Sequence, residues 1–197
     1  MSTTAITTEE TAKDASLILV AVDDGSDPAY QTSLGAAIEV AKGIPAELLL
    51  YDRSAESLLV DPYPYPESIN DSSPLNTESL RSLGRDYMAK QIETCTEQGV
   101  SATAWLPRAT GPKEMARCTQ MFAVDAVVLP EELGSPSVKD RVLGNCLNKF
   151  REYLEVPILL VTRDAKFQVL SDAAVKEFKA PLAKNLRVAA TPQRRSA

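Results

Sequence analysis

Two short apolar runs near opposite ends of the sequence constrain the fold of this chain most. Leu17–Val22 is apolar at every position and stops at the turn residues Asp23-Asp24-Gly25-Ser26, and Pro157–Val161 is a second run of the same kind. A run without polar alternation, ended by Asp and Gly, is typical of a strand that is covered on both faces of a parallel sheet. Since parallel strands need long crossover connections, the sequence predicts an α/β fold.

Segments with helical spacing alternate with further strands between these two runs. The result is a predicted open five-stranded parallel sheet with helices on both faces, the Rossmann-like layout of adenine-nucleotide-binding folds. The predicted helices are Ala29–Ala41, ended by Gly43; one helix over Asn76–Gln98; one that starts at Gly111-Pro112; and one opened by Ser137 with Asp140 three residues later. The other predicted strands are Glu47–Tyr51, Val100–Leu106 and Ala126–Leu129.

The flanks of this core have a different composition. Residues 1–15 are polar without an apolar period and are predicted to be a disordered tail. Residues 16–164 form the predicted domain, and residues 165–197 a C-terminal extension, with a short amphipathic helix within Asp164–Phe178 and a basic disordered end. A long loop at residues 53–75 contains Tyr63 and Tyr65 between prolines. We interpret it first as an insertion, and alternatively as a lid or a partner-binding segment.

The composition excludes several kinds of catalytic chemistry. The 197 residues include no histidine, which excludes Ser-His-Asp triads, Cys-His pairs and His-bearing zinc sites. Cys95, Cys118 and Cys146 are widely spaced and odd in number, which favours a reduced cytoplasmic location and a role as small core residues. We therefore expect a protein that binds and does not catalyse. No apolar run is long enough to span a membrane, so no membrane association is expected.

Charge is distributed unevenly along the chain. Residues 1–164 carry 14 Lys and Arg against 25 Asp and Glu, whereas residues 165–197 carry 7 against 2. An acidic body repels nucleic acid, so no specific nucleic-acid binding is expected. The basic tail is most simply a solvated end, although contact with an acidic partner, with RNA or with the body itself is an alternative.

Ligands of open α/β sheets bind beyond the carboxyl ends of the strands. At these ends the sequence places a set of acidic, small and aromatic residues that we take as the candidate site. An alternative is that Asp23 and Ser26 only end the first strand and cap the first helix. The candidate residues are Asp23, Asp24, Gly25 and Ser26 after the first strand, Tyr51 at the end of the second, and Glu131, Gly134, Ser135, Gly144 and Asn145 after the fourth.

The order and spacing of these segments resemble the universal stress protein family over about residues 16–164. Asp24-Gly25-Ser26 matches the usual Asp-Gly-Ser of that family. ATP-binding members carry Gly-x2-Gly-x9-Gly followed by Ser or Thr. This chain has Glu131 at the first glycine, Gly134 and Gly144 at the other two, and Asn145 at the hydroxyl position. The resemblance implies binding of ATP or another adenine nucleotide that is weak or lost, with Mg²⁺ entering only with the nucleotide.

The resemblance also implies a homodimer. Many family members dimerise through the fifth strand, here Ile158, Leu159, Leu160 and Val161. An apolar strand at a sheet edge invites such pairing. The alternative is that a C-terminal segment, within Phe167–Phe178, covers the edge instead.

Three readings of function remain open on the sequence. The first is a stress-response or regulatory module with weak or lost nucleotide binding. The second is a protein-interaction adaptor that acts through the Pro/Tyr loop or the basic tail, and a slow ATPase is a distant third. A response-regulator receiver is disfavoured, because the third strand is followed by Pro107-Arg108 and the fifth by Thr162-Arg163. Neither the phosphoacceptor aspartate nor the lysine is present, and no Walker A or G-x-G-x-x-G motif occurs.

Overall fold

Six strands form a single sheet in the computed structural model, which describes residues 15–54, 73–108, 111–134 and 147–170. The strand order is β3-β2-β1-β4-β5-β6, and every neighbouring pair is parallel except β5 and β6. The predicted α/β fold class is confirmed. The strands are β1 (Ser16–Val22), β2 (Ala46–Asp52), β3 (Ser101–Trp105), β4 (Ala126–Pro130), β5 (Ile158–Val161) and β6 (Phe167–Leu170).

Strand β1 lies in the middle of the sheet because it can be covered on both faces. Ile18 and Val20 face one hydrophobic cluster and Leu19 faces the other, and all three are completely buried. The chain proceeds from β1 to β2 and β3 on one side and then returns to place β4 on the other. The change of direction between β1 and β4 is the point where open α/β sheets bind ligands.

The helices cover both faces of the sheet. Helix α1 (Pro28–Lys42) ends at Gly43 as predicted. It packs on one face with α2 (Thr77–Ser82) and α3 (Asp86–Glu97), and the opposite face is covered by α4 (Pro112–Met121) and α5 (Leu147–Tyr153). A short 3₁₀ turn, Glu131–Gly134, follows β4 directly. No helix among the described residues is long and apolar enough to cross a membrane.

The single helix predicted over Asn76–Gln98 is wrong, because the structure has two helices there. Asn76 does begin the first of them, and its side chain accepts a hydrogen bond from the Ser79 backbone N–H (2.9 Å). The break comes at Gly84, whose φ of +73° is incompatible with a continuing helix. The apolar positions on either side of the break, Leu80 and Met88, still contact the same core, so their spacing concealed the interruption.

The stretch after β5 corrects a second prediction. Residues 167–170 are not part of an amphipathic helix but form β6, which pairs antiparallel with β5. The sheet therefore has six strands instead of five, and β5 is not an edge strand. The predicted route to a homodimer, through an open edge at Ile158, Leu159, Leu160 and Val161, is occupied by the chain's own β6. Homodimerisation stays a prediction, and through β5 it requires β6 to leave this edge.

Several predicted segments lie outside the described residues. These are the N-terminal tail up to residue 14, most of the Pro/Tyr loop (55–72), the helix start at 137–146 with the third glycine of the motif, and the basic tail from residue 171.

Candidate functional site

The loops after β1 and β4 come together at the carboxyl edge of the sheet because β1 and β4 are paired neighbours. This brings the Asp23–Ser26 segment and the Glu131–Gly134 turn to the same end of adjacent strands, as the sequence predicted. Ser135, Gly144 and Asn145 belong to the stretch 135–146, outside the described residues, so their placement beside this edge stays a prediction.

Asp23 organises the loop that follows β1. The residue is 6% exposed, and its carboxylate accepts hydrogen bonds from the backbone N–H groups of Gly25 (2.9 Å) and Asp27 (2.8 Å) and from the Ser26 hydroxyl (3.2 Å). Gly25 has a φ of +91°, a conformation that L side chains rarely adopt, so glycine is required for this turn. The carboxylate of Asp23 is thus committed to shaping the loop.

Asp24 is the acid of this pair that faces solvent. It is exposed, and its Oδ1 accepts a hydrogen bond from the Ser26 backbone N–H (3.1 Å). With Gly25 it lines an open cavity of about 640 Å³ beside α3, where Lys90 supplies the positive charge among the lining residues. Of the two acids, Asp24 is the exposed one, and it lines a cavity that a ligand could enter.

Asp27 is a functional residue of this edge that the sequence reasoning missed. It is the N-cap of α1, and its side chain accepts a hydrogen bond from the Ala29 backbone N–H (2.9 Å). The alternative that Asp23 and Ser26 cap the first helix is therefore wrong, because the cap of α1 is Asp27. The signal was present in the pair Asp27-Pro28, since an acid at the N-cap followed by proline at the first helical position is a strong helix start.

Tyr51 lies inside the domain. It is completely buried, and its ring centroid is 5.8 Å from that of Trp105, which in turn contacts Phe122 edge-on at 6.3 Å. The neighbouring aromatic Tyr30 is covered by the guanidinium of Arg53, 4.5 Å from the ring centroid. These aromatic residues belong to one core cluster, and Tyr51 contributes to it by packing.

Asp52, the last residue of β2, is buried on the opposite face. Its carboxylate is completely shielded from solvent and accepts hydrogen bonds from the Tyr87 hydroxyl (2.5 Å) and the Ser54 backbone N–H (2.8 Å), with the Nε of Arg85 at 3.9 Å. Burial raises the pKa of Asp52, and these hydrogen bonds and the Arg85 charge oppose the rise. Burial, then the Asp52 charge, raises the pKa of Tyr87. The contacts of Asp52 with Tyr87 and Arg85 join the carboxyl end of β2 to the start of α3.

Glu131 and Glu132 both engage the start of the β5–β6 connection. The Oε1 of Glu131 accepts a hydrogen bond from the Arg163 backbone N–H (3.1 Å), and the Oε1 of Glu132 lies 3.3 Å from the Arg163 Nε. Leu133 is buried and anchors the 3₁₀ turn, which leaves Gly134 as the last described residue of the motif. Glu131 therefore stands at the first glycine position with its carboxylate directed toward the end of β5.

A cavity of about 360 Å³ lies between the first turn of α1 and the ends of β4 and β5. Its polar lining includes acids from two loops and one cation, Arg163. Such a lining suits a ligand with hydroxyl or amine donors better than one with several negative charges. The lining residues are Asp27, Pro28, Ala29, Thr32, Glu132, Val161, Thr162 and Arg163.

Metal and thiol chemistry find little support in the described part of the chain. Within residues 15–54, 73–108, 111–134 and 147–170, no group of three or more Cys, Asp or Glu side chains is placed to hold a metal ion. Cys95 and Cys118 are buried, and burial raises the pKa of Cys95 to about 11. Burial raises the pKa of Cys118 as well. Both act as small core residues, as the sequence indicated.

Comparison with known proteins gives matches among solved structures. No protein-family model matches this chain, and no curated protein matches it. The chain is similar to a universal stress protein in complex with cAMP, at 16% identity and a TM-score of 0.49, covering 75% of this chain and 97% of that one. It is similar to a universal stress protein from Archaeoglobus fulgidus, at 16% and 0.49, covering 77% and 96%. It is also similar to a universal stress protein family protein from Arabidopsis thaliana with AMP bound, at 17% and 0.46, covering 76% and 93%.

Proposed function

We propose that this chain is a cytoplasmic stress-response or regulatory binding module of the universal stress protein type, with weak or lost binding of adenine nucleotides and no catalytic role. The sequence resemblance over residues 16–164 supports the type of module. The lack of histidine supports binding over catalysis. Residues 1–15 and 165–197 are proposed as extensions of that module.

The engagement of Glu131 with Arg163 is the observation that carries the proposal. In the motif of ATP-binding members a glycine would leave room at this position for phosphate oxygens. Here a carboxylate occupies it and is fixed by the Arg163 backbone N–H at 3.1 Å. Two like charges about 4 Å apart repel by ~4 kcal/mol at an effective dielectric of about 20, before salt and exposure reduce the effect. The penalty grows with the number of phosphates.

The charge at this edge supports a ligand of low charge. Asp27 and Glu132 line one cavity together with Arg163, and Arg163 in turn contacts both Glu131 and Glu132. Adenosine, AMP or a cyclic nucleotide meets less repulsion here than ATP. Mg²⁺ would be bound only together with a polyphosphate, whose oxygens supply ligands that the described part of the chain does not gather.

Calorimetric titration of the full chain with adenosine, AMP, cAMP and ATP, with and without Mg²⁺, tests this proposal. We expect weak or absent ATP binding, which Glu131→Gly strengthens while adenosine binding changes little. Glu131→Gln is the matched control, because it removes the charge and keeps the bulk. If Glu131→Gly changes the affinities for ATP and adenosine equally, Glu131 does not act on the phosphates. If no adenine ligand binds to any of the three proteins, binding is lost and Glu131 is not its cause. Tight binding of ATP by the wild type contradicts the proposal.

A protein-interaction adaptor is the second candidate function. It is favoured by Tyr63 and Tyr65, which alternate with prolines in the sequence and are the kind of rigid aromatic residues that anchor interfaces. The segment that contains them leaves the body after Arg53, which stacks on Tyr30, and returns at Leu75, which pairs with Ala104.

Hydrogen exchange on the isolated full chain tests this second candidate. We expect rapid exchange of the amides at residues 58–72, because an interaction segment would gain protection from its partner. The exchange of β1 amides in the same experiment is the internal control for the folded body. Slow exchange at residues 58–72 without a partner contradicts the adaptor function.

A further inference from the structure

Strand β6 covers the edge of β5 that does not pair with β4. β5 pairs with β4 on one side, and on the other side Ile158 is opposite Leu170 and Val161 is opposite Phe167. All four β5 residues are at most 3% exposed. Their side chains are uncharged and aliphatic, which makes this strand a strong template for pairing once its backbone groups are free.

Strand β6 is much less buried than strand β5, which it covers. Gln168 and Val169 are exposed, the latter at 38%, while Phe167 and Leu170 are only partly buried. Phe167 packs on one core cluster and Leu170 on the other, so each side of β6 contributes one apolar contact. Strands with so little burial unfold locally at a lower free energy than the core, so they open before the core does.

The connection to β6 is a tight hairpin turn with a strained residue. The Thr162 backbone N–H donates to the Lys166 carbonyl and the Ala165 N–H donates to the Thr162 carbonyl, both at 2.9 Å. Ala165 has a φ of +58°, the left-handed position that such three-residue turns normally fill with glycine. The turn therefore closes the hairpin with two hydrogen bonds, but the left-handed alanine makes it less stable than the same turn with glycine.

We propose that β6 is an edge guard: it keeps β5 from pairing with the β5 strand of a second copy, and its release allows two copies to associate. The orientation supports a second copy as the occupant. β6 runs antiparallel to β5, which is the direction that a β5 strand related by a two-fold axis would take. Released from β6, the run Ile158–Val161 offers that second copy an identical aliphatic strand with matching length.

The hydrogen-bond pattern of the hairpin provides a matched pair of variants. The Thr162 N–H donates to the Lys166 carbonyl (2.9 Å), and the Lys166 N–H donates to the Thr162 Oγ1 (3.1 Å). Thr162 and Lys166 therefore stand at a hydrogen-bonding position of the ladder, and such positions alternate along antiparallel strands. Leu160 with Gln168 is therefore a hydrogen-bonded pair, and the N–H of Gln168 points to β5. Leu159 and Val169 form a pair without hydrogen bonds between them, so the N–H of Val169 points away from β5. Proline removes the N–H, so Gln168→Pro weakens the guard while Val169→Pro spares its bonds to β5.

Light scattering after size exclusion, with hydrogen exchange of the Leu160 amide, tests the proposal on full-length proteins. Wild type and Val169→Pro are expected near the 21.3 kDa of one chain, and Gln168→Pro is expected to approach twice that mass as its concentration rises. A folded Gln168→Pro protein whose β6 amides exchange rapidly but which stays monomeric overturns the proposal. So does a wild type that associates as strongly as Gln168→Pro. If Gln168→Pro does not fold, the double variant Phe167→Ala/Leu170→Ala, which loosens β6 without changing its backbone, decides by the same criteria.

Discussion

The hydroxyl of Tyr87 donates a 2.5 Å hydrogen bond to the carboxylate of Asp52, a residue that is completely buried. Tyr87 lies in the first turn of α3 and Asp52 at the end of β2. This contact joins the start of α3 to the carboxyl edge of the sheet. Gly84 and Tyr87 line the cavity beside α3, so the hydrogen bond stabilises that side of the candidate site.

Tyr87→Phe is expected to lower the free energy of unfolding by about 1–3 kcal/mol, because the buried Asp52 carboxyl group loses a hydrogen-bond donor. Urea denaturation followed by circular dichroism measures the change. Tyr153→Phe is the matched control, since Tyr153 is half-buried and its ring packs on the core and lies 5.4 Å from the Lys113 Nζ. A difference between the two variants below about 0.5 kcal/mol contradicts the role given to the Tyr87 hydroxyl.

The pH dependence of stability should carry the signature of Asp52. Burial raises the pKa of Asp52 in the folded protein above its ordinary value of 3.8, so the folded state binds the proton more tightly than the unfolded state. Its contribution to stability is therefore greatest at low pH, and it declines as the pH rises from about 3.8 through the folded pKa.

Asp52→Asn removes this titration. The unfolding free energy of wild type relative to Asp52→Asn is expected to fall over that pH range and then level off, in denaturation series at successive pH values. Glu97→Gln, at an exposed position near the end of α3, controls for the loss of a carboxylate. A wild type that gains stability relative to Asp52→Asn as the pH rises would reverse the sign and contradict the assignment.

Ala123→Gly is expected to stabilise the protein by about 1 kcal/mol, because Ala123 follows α4 in the left-handed conformation that glycine adopts without strain. Its φ is +52°, and the Val124 N–H next to it donates back to the Thr119 carbonyl. Gly99, with a φ of +80° and open space at its Cβ position, gives the converse variant. Gly99→Ala should destabilise by a similar amount in the same thermal or urea experiment, and equal signs for the two variants would refute the backbone explanation.

Asp27→Ala is expected to cost about 1 kcal/mol of stability through loss of the α1 N-cap. Ser26→Ala should cost less, because the Ser26 hydroxyl donates to Asp23 at 3.2 Å and Asp27, not Ser26, caps α1. Urea denaturation of both variants separates the two residues. If Ser26→Ala proves the more harmful, the capping assignment is reversed.

The parts of the fold that were predictable are those where burial on both faces leaves a continuous apolar run. Leu17–Val22 and Ile158–Val161 are such runs, and both are strands in the structure. The break at Gly84 was not predictable from periodicity, because Leu80 and Met88 keep the same face in two separate helices. β6 was missed because Phe167 and Leu170 are three residues apart, a spacing that also fits one face of a helix.

The candidate site was predictable in position but less so in the roles of its residues. The rule that ligands bind at strand ends located the loops after β1 and β4. It did not distinguish Asp23, which is consumed by hydrogen bonds within its loop, from Asp24, which faces solvent. Nor could it separate Tyr51 from Asp52, because adjacent residues of a strand point to opposite faces and only the packing shows which face is covered.

The bridge between Leu75 and Ala104 has a practical consequence for protein engineering. The two backbone hydrogen bonds of this pair, at 2.7 and 2.9 Å, return the chain to the edge of β3, while Asp52 and Ser54 fix its departure from β2. Both ends of the intervening segment are thus anchored by contacts that do not depend on its length. Because each doubling of a loop costs only about 0.6 kcal/mol, a fluorescent reporter or affinity tag grafted between residues 55 and 72 should leave the domain folded.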